Sequence, residues 1–109
     1  MINVNIVKDS QGFIWQFTVT GHAGFDEPGK DLVCCAVSVV AYMAVNALEE
    51  LVGIKNYTYE DGYMICSIPN DISEELKNKV KTIMETISVG FKQLEFTYED
   101  YVSVLEEEV

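Results

Sequence analysis

The chain has 109 residues, 49% of them hydrophobic, and sets 18 acidic side chains against seven lysines for a formal net charge of −11. A chain of this size buries roughly two-thirds of its unfolded surface, enough for one core without metal or disulfide staples, so residues 1–109 are expected to form a single domain. The acidity repels phosphate backbones and argues against direct binding of nucleic acid; it suits a basic protein or peptide, and it also keeps a small domain soluble.

From the amino end, Met1 to Asn5 lack the basic and apolar regions of a signal peptide, and no stretch approaches the roughly 18 uninterrupted apolar residues of a membrane span. The expectation is a cytoplasmic protein with no membrane partner. Ile2, Val4 and Ile6 alternate with polar neighbours, and Phe13, Trp15, Phe17 and Val19 do the same up to Thr20. Both segments read as half-buried strands joined by a turn at Ser10, Gln11 and Gly12. Gly21 to Lys30 then brings three glycines and a proline, which disfavour regular structure and leave a loop able to reshape.

Leu32 to about Leu51 has helical length, with Asp31 as N-cap and Gly53 placed for a left-handed C-cap. This helix is apolar almost all round, broken only by a thin stripe of Ser38, Tyr42 and Asn46, so it should be covered on more than one side. Tyr57 to Tyr59 and Tyr63 to Ile68 flank Asp61-Gly62, a two-residue hairpin signal. A second helix should start after Asp71, with Glu74 completing a capping box. Its apolar residues Ile72, Leu76, Val80, Ile83, Ile87 and Phe91 recur at spacings of three and four. Tyr98 to Leu105 reads as a last strand, and Leu105 to Val109 as a frayed, solvated end. The order β-β-α-β-β-α-β gives an α/β class: two helices packed with antiparallel hairpins in a single-core sandwich.

The chemistry gathers at the junction from Thr20 to Ala36, which holds the only histidine and two of the three cysteines. An odd cysteine count with two adjacent is a poor disulfide framework and fits reduced thiols. With Asp31 as N-cap, Cys34 falls in the first helical turn, where the positive end of the helix favours thiolate over thiol; the Asp31 carboxylate acts the other way. The loop is long enough to double back and bring His22 to the sulfur, forming a Cys-His dyad for acyl transfer, with free N–H groups at the helix start as oxyanion donors. The same residues are also compatible with plain packing, since cysteine is commonly buried as a small hydrophobe. Metal binding is not expected, because Cys34 and Cys35 point about 100° apart on a helix and nothing completes a four-ligand set. Cys35 and Cys66 are expected to be small core side chains.

At these residues the chain resembles the ribosomal-processing cysteine protease family, whose pattern is a G-H-A segment, a glycine-bearing loop, then D-I/L-V-C-A and a serine. Gly21-His22-Ala23, Gly29, Asp31-Leu32-Val33-Cys34 and Ser38 match it, whereas Cys35 stands where relatives usually carry alanine. The resemblance implies Cys34 as nucleophile, His22 as general base, and Asp31 as a third member or support, with the loop of Gly21, Gly24 and Gly29 closing over substrate. It further implies no cofactor, a homodimer, and a substrate that is the N-terminal peptide of a basic protein, the bacterial large-subunit ribosomal protein L twenty-seven. Two other classes stay open. One is a non-catalytic acidic module that binds a basic ribosomal protein during ribosome assembly; the other is a thiol redox sensor using Cys34 with Cys35 or Cys66.

Overall fold

The computed structural model describes residues 1–27 and 29–109. Its elements follow the expected order: β1 (Ile2–Lys8), β2 (Ile14–Thr20), α1 (Leu32–Val52), β3 (Tyr57–Glu60), β4 (Tyr63–Ser67), α2 (Glu74–Thr97) and β5 (Val102–Glu108). The five strands form one mixed sheet in the order β3-β4-β2-β1-β5. All neighbours run antiparallel except β1 and β5, which are parallel.

Register explains which face is buried. Ile6 pairs with Phe17 and Phe17 with Cys66, while Val4 pairs with Val19 and Val19 with Met64, so apolar residues line up across the strands on one face. Alternation then puts Asn3, Asn5, Gln16, Thr18 and Ser67 on the other face. Val33, Val37, Ala44 and Leu48 of α1 and Val80, Met84 and Phe91 of α2 join the apolar sheet face in one continuous core. Phe17 and Phe91 meet there with ring centroids 5.5 Å apart. By length and composition alone α1 would also pass for a membrane-crossing helix; in this fold the same composition serves a core helix.

Five expectations need correction. The alternation of Phe13, Trp15, Phe17 and Val19 breaks, because β1 pairs Val7 with Gln16 but Lys8 with Ile14. Trp15 is the extra residue of a bulge, and Ile14 takes the inward place. Asp9 stabilises the irregular turn, accepting the amides of Gln11 and Phe13 and the Trp15 indole N–H. The cap of α2 is Ser73, whose hydroxyl accepts the Leu76 amide, and not Asp71. That start places Glu74 and Glu75 in the first turn, against the positive helix end.

The last strand begins at Val102 rather than Tyr98, and it runs through the segment expected to fray. Leu105 to Glu108 pair with Asn5 to Lys8. Glu106 meets Lys8 at 3.0 Å and Lys92 at 2.6 Å, which is how an acidic segment becomes an edge strand. Finally, Cys35 is exposed and not a core side chain, because it lies a helical step round α1 from Cys34. Cys66 is buried as expected.

Candidate active site

The start of α1 is built by one carboxylate. Asp31 has extended backbone (φ −80°, ψ 104°), and its Oδ1 accepts the Cys34 amide at 2.9 Å, the geometry of an N-cap. Its Oδ2 accepts the amides of Phe25 at 3.0 Å and Asp26 at 3.3 Å. The same side chain therefore starts the helix and ties down the preceding loop. Burial pushes the Asp31 carboxyl up, but the amides of Cys34, Asp26 and Phe25, with the Cys34 thiol, outweigh it and hold the group below its ordinary range. Among the described residues the carboxylate makes no hydrogen bond to the His22 ring, so of the two roles considered for it the cap is the one seen.

Cys34 sits in the first turn, half-buried, with its sulfur facing the loop. The backbone N–H of Ala23 donates to Cys34 Sγ at 3.3 Å. The amides of Cys34 and Cys35 are both taken by Asp31, through Oδ1 and the main-chain carbonyl respectively. These two amides are thus already occupied and are not among the free N–H groups expected at the helix start.

His22 is brought to the same place. It and Cys34 line one pocket of about 160 Å³, together with Val37, Ser38, Ala41 and Tyr42 of α1 and Tyr59, Asp61, Gly62, Tyr63 and Met64 of the β3–β4 hairpin. Three backbone contacts set the position of His22. Its carbonyl accepts the Met1 ammonium at 2.7 Å, the Gly21 amide donates to the Gly62 carbonyl at 2.8 Å, and the next residue, Ala23, is bonded to the sulfur. Gly21 has φ of 90°, and any side chain on it would run into the Met1 carbonyl oxygen, so this position requires glycine. Gly24, Gly29 and Asp26 border a wider cleft that continues from His22 and Cys34 past Asp31, Cys35, Ser38 and Asp61.

The structure thus brings together every residue singled out in the sequence: Cys34, His22, Asp31 and the loop glycines. It adds contributors that reading the chain missed. Asp61-Gly62 carried a turn signal and nothing chemical, yet that turn borders His22. Tyr42, Tyr59 and Tyr63 carried only strand and helix periodicity, yet they wall the pocket, with the rings of Tyr42 and Tyr59 5.5 Å apart. Phe25 packs its ring edge-on to Tyr98 and Tyr101 at 6.2 and 5.1 Å, fastening the loop to the α2–β5 turn.

Residues 1–103 match the model of the family described as cysteine protease Prp. The ribosomal processing cysteine protease Prp of Bacillus subtilis is 33% identical over 107 residues, covering 95% of this chain and 96% of its own. The crystal structure of the essential ribosomal processing protease Prp from S. aureus, in complex with a covalently linked product peptide, superposes with a TM-score of 0.86 at 25% identity. The match covers 98% of this chain and all of that one (100%). A Streptococcus mutans protein of known crystal structure matches with a TM-score of 0.82 at 29% identity, over 100% of this chain and 96% of that one. With the family match running through α1 and the loop before it, this chain belongs to the cysteine protease Prp family.

Proposed function

We propose that the protein is an endopeptidase that removes a short N-terminal extension from a bacterial large-subunit ribosomal protein, with Cys34 as nucleophile and His22 as general base. The observation that carries this reading is Cys34 Sγ at the start of α1, receiving the Ala23 N–H at 3.3 Å in a pocket that His22 also lines. In this reading the His22 imidazole takes the thiol proton and the sulfur attacks the scissile carbonyl carbon. The imidazolium then protonates the leaving amine as the C–N bond breaks, and water hydrolyses the thioester that remains. Asp31 supports the reaction by holding the loop that delivers His22. The peptide-bound S. aureus relative supports a peptide as substrate, and the net charge of −11 suits a basic one.

Two further parts belong to the same reading. The enzyme acts in the cytoplasm on its ribosomal substrate, and it acts as a homodimer. For the dimer the support is the outer face of α1, where Val39 and Met43 are each 54% exposed and Leu32 and Leu51 more so. Such an apolar stripe on a core helix wants a second cover.

Cleavage of a peptide carrying the N-terminal extension of L twenty-seven tests the reaction. Cys34→Ala should abolish turnover with the fold intact by circular dichroism, and His22→Ala should lower kcat by about 10²- to 10⁴-fold. Full turnover by the Cys34 variant would sink Cys34 as the nucleophile, and absence of cleavage by the wild type would leave the acidic, non-catalytic ribosome-assembly module in its place.

A further inference from the structure

A histidine on a loop is a useful base only if its ring is held, because side-chain torsions otherwise spread it over several staggered positions. The backbone of His22 is well anchored, but its ring is exposed to solvent. What the ring rests on is the β3–β4 turn. Gly62 has φ of 74°, and a Cβ built there would lie 2.8 Å from His22 Nε2, 3.4 Å from Cε1 and 3.5 Å from Cδ2. Those three atoms are the distal edge of the imidazole, which therefore occupies the space that a side chain at position 62 would fill. The carbonyl of the same glycine accepts the Gly21 amide at 2.8 Å, so one residue of the turn holds both the ring and the chain just before it.

We propose that Gly62 is a positioning residue: the β3–β4 turn is the seat that sets where the His22 imidazole stands relative to Cys34. The inference rests on His22 being the general base. Any side chain at position 62 must push the ring out from 2.8 Å to ordinary van der Waals separation, a displacement on the order of half an ångström to one ångström. Misplacement of a reacting group by about 1 Å costs up to about a hundredfold in rate. The hairpin signal Asp61-Gly62 thus has a second reason for its glycine, beyond the left-handed backbone that the turn needs.

Backbone strain and ring displacement are separable. Gly12 also has positive φ (83°), in the β1–β2 turn, but a Cβ there meets nothing within 4 Å, so Gly12→Ala reports the strain alone. Gly62→Asn reports the displacement alone, because asparagine tolerates the left-handed region while still filling the space. Kinetics on the extension peptide, with urea unfolding of each variant of the full chain, form the test.

Gly62→Ala and Gly62→Asn should each lose about ten- to a hundredfold in kcat with KM within about twofold of wild type, while Gly12→Ala keeps the wild-type kcat. If Gly62→Ala fails to fold, Gly62→Asn carries the comparison. If Gly62→Asn turns over like Gly12→Ala while His22→Ala is inactive, the seat is overturned and the dyad stands. If His22→Ala itself retains turnover, the general-base reading falls, and the seat falls with it.

Discussion

Asp31 shows how much one side chain can organise. Its two carboxylate oxygens divide the work: Oδ1 caps α1 at Cys34, and Oδ2 holds the loop at Phe25 and Asp26. Asparagine caps helices about as well as aspartate but has one acceptor oxygen, so Asp31→Asn keeps the cap and loses the clasp. Hydrogen exchange should therefore speed up at the Phe25 and Asp26 amides in that variant, with the Val37 to Leu48 amides of α1 unchanged. Equal protection of both segments would remove the clasp from the account. The three cysteines, alike in sequence, are separated by environment at the same scale. Cys66 is buried and its thiol is pushed up to about 11 by burial, which keeps it neutral and inert at physiological pH. Cys35 is exposed on the outer face of α1, while Cys34 faces the loop.

At the level of elements, the chain disclosed its helices and hairpins where local chemistry decided them. Asp31 and Gly53 mark the ends of α1 because capping groups act within one turn, and Gly53 does adopt the left-handed conformation at φ 71°. Asp61-Gly62 marks the β3–β4 turn for the same kind of reason. Two of the misses have a different cause, which is dependence on distant partners. The Trp15 bulge is stabilised by Asp9 and by Lys77 lying 5.8 Å from the indole centroid, a residue of α2. The glutamates of β5 look like a solvated tail until Lys8 and Lys92 are brought beside them. The candidate site divides similarly: Cys34, His22 and Asp31 lie within one readable motif, whereas the hairpin that seats His22 is forty residues away in sequence, at Gly62. For α2 the two capping choices make a direct test. Ser73→Ala should cost about 1 kcal/mol in urea unfolding, and Asp71→Ala should stay within about 0.5 kcal/mol of wild type.

For the molecule as a whole, charge and titration set the working range. The carboxyls of Asp9, Asp31 and Glu106 are all held below their ordinary values of 3.8, 3.8 and 4.5. The causes are the Phe13 amide and Trp15 indole for Asp9, and Lys92 and Lys8 for Glu106. For Asp31 burial acts the other way, and the Cys34, Asp26 and Phe25 amides overcome it. Groups with depressed folded values bind fewer protons folded than unfolded, so their contribution is complete above pH 4.5 and is lost as pH falls through and below 3.8. The urea midpoint should accordingly fall with acidification below that range, and Glu106→Gln should flatten the slope. A midpoint that rose toward acid would mean that relief of repulsion among the eighteen acidic side chains outweighs these local bonds.

The central claim is that the fold activates one thiol, Cys34, by delivering His22 to it. Alkylation resolved by mass spectrometry, with rates for each cysteine against pH in wild type and His22→Ala, tests that claim directly. The account predicts fast labelling at Cys34 at neutral pH, slower labelling at the more exposed Cys35, none at folded Cys66, and a marked loss of the Cys34 advantage without His22. Labelling of Cys35 as fast as Cys34, unchanged by removal of the imidazole, would contradict it.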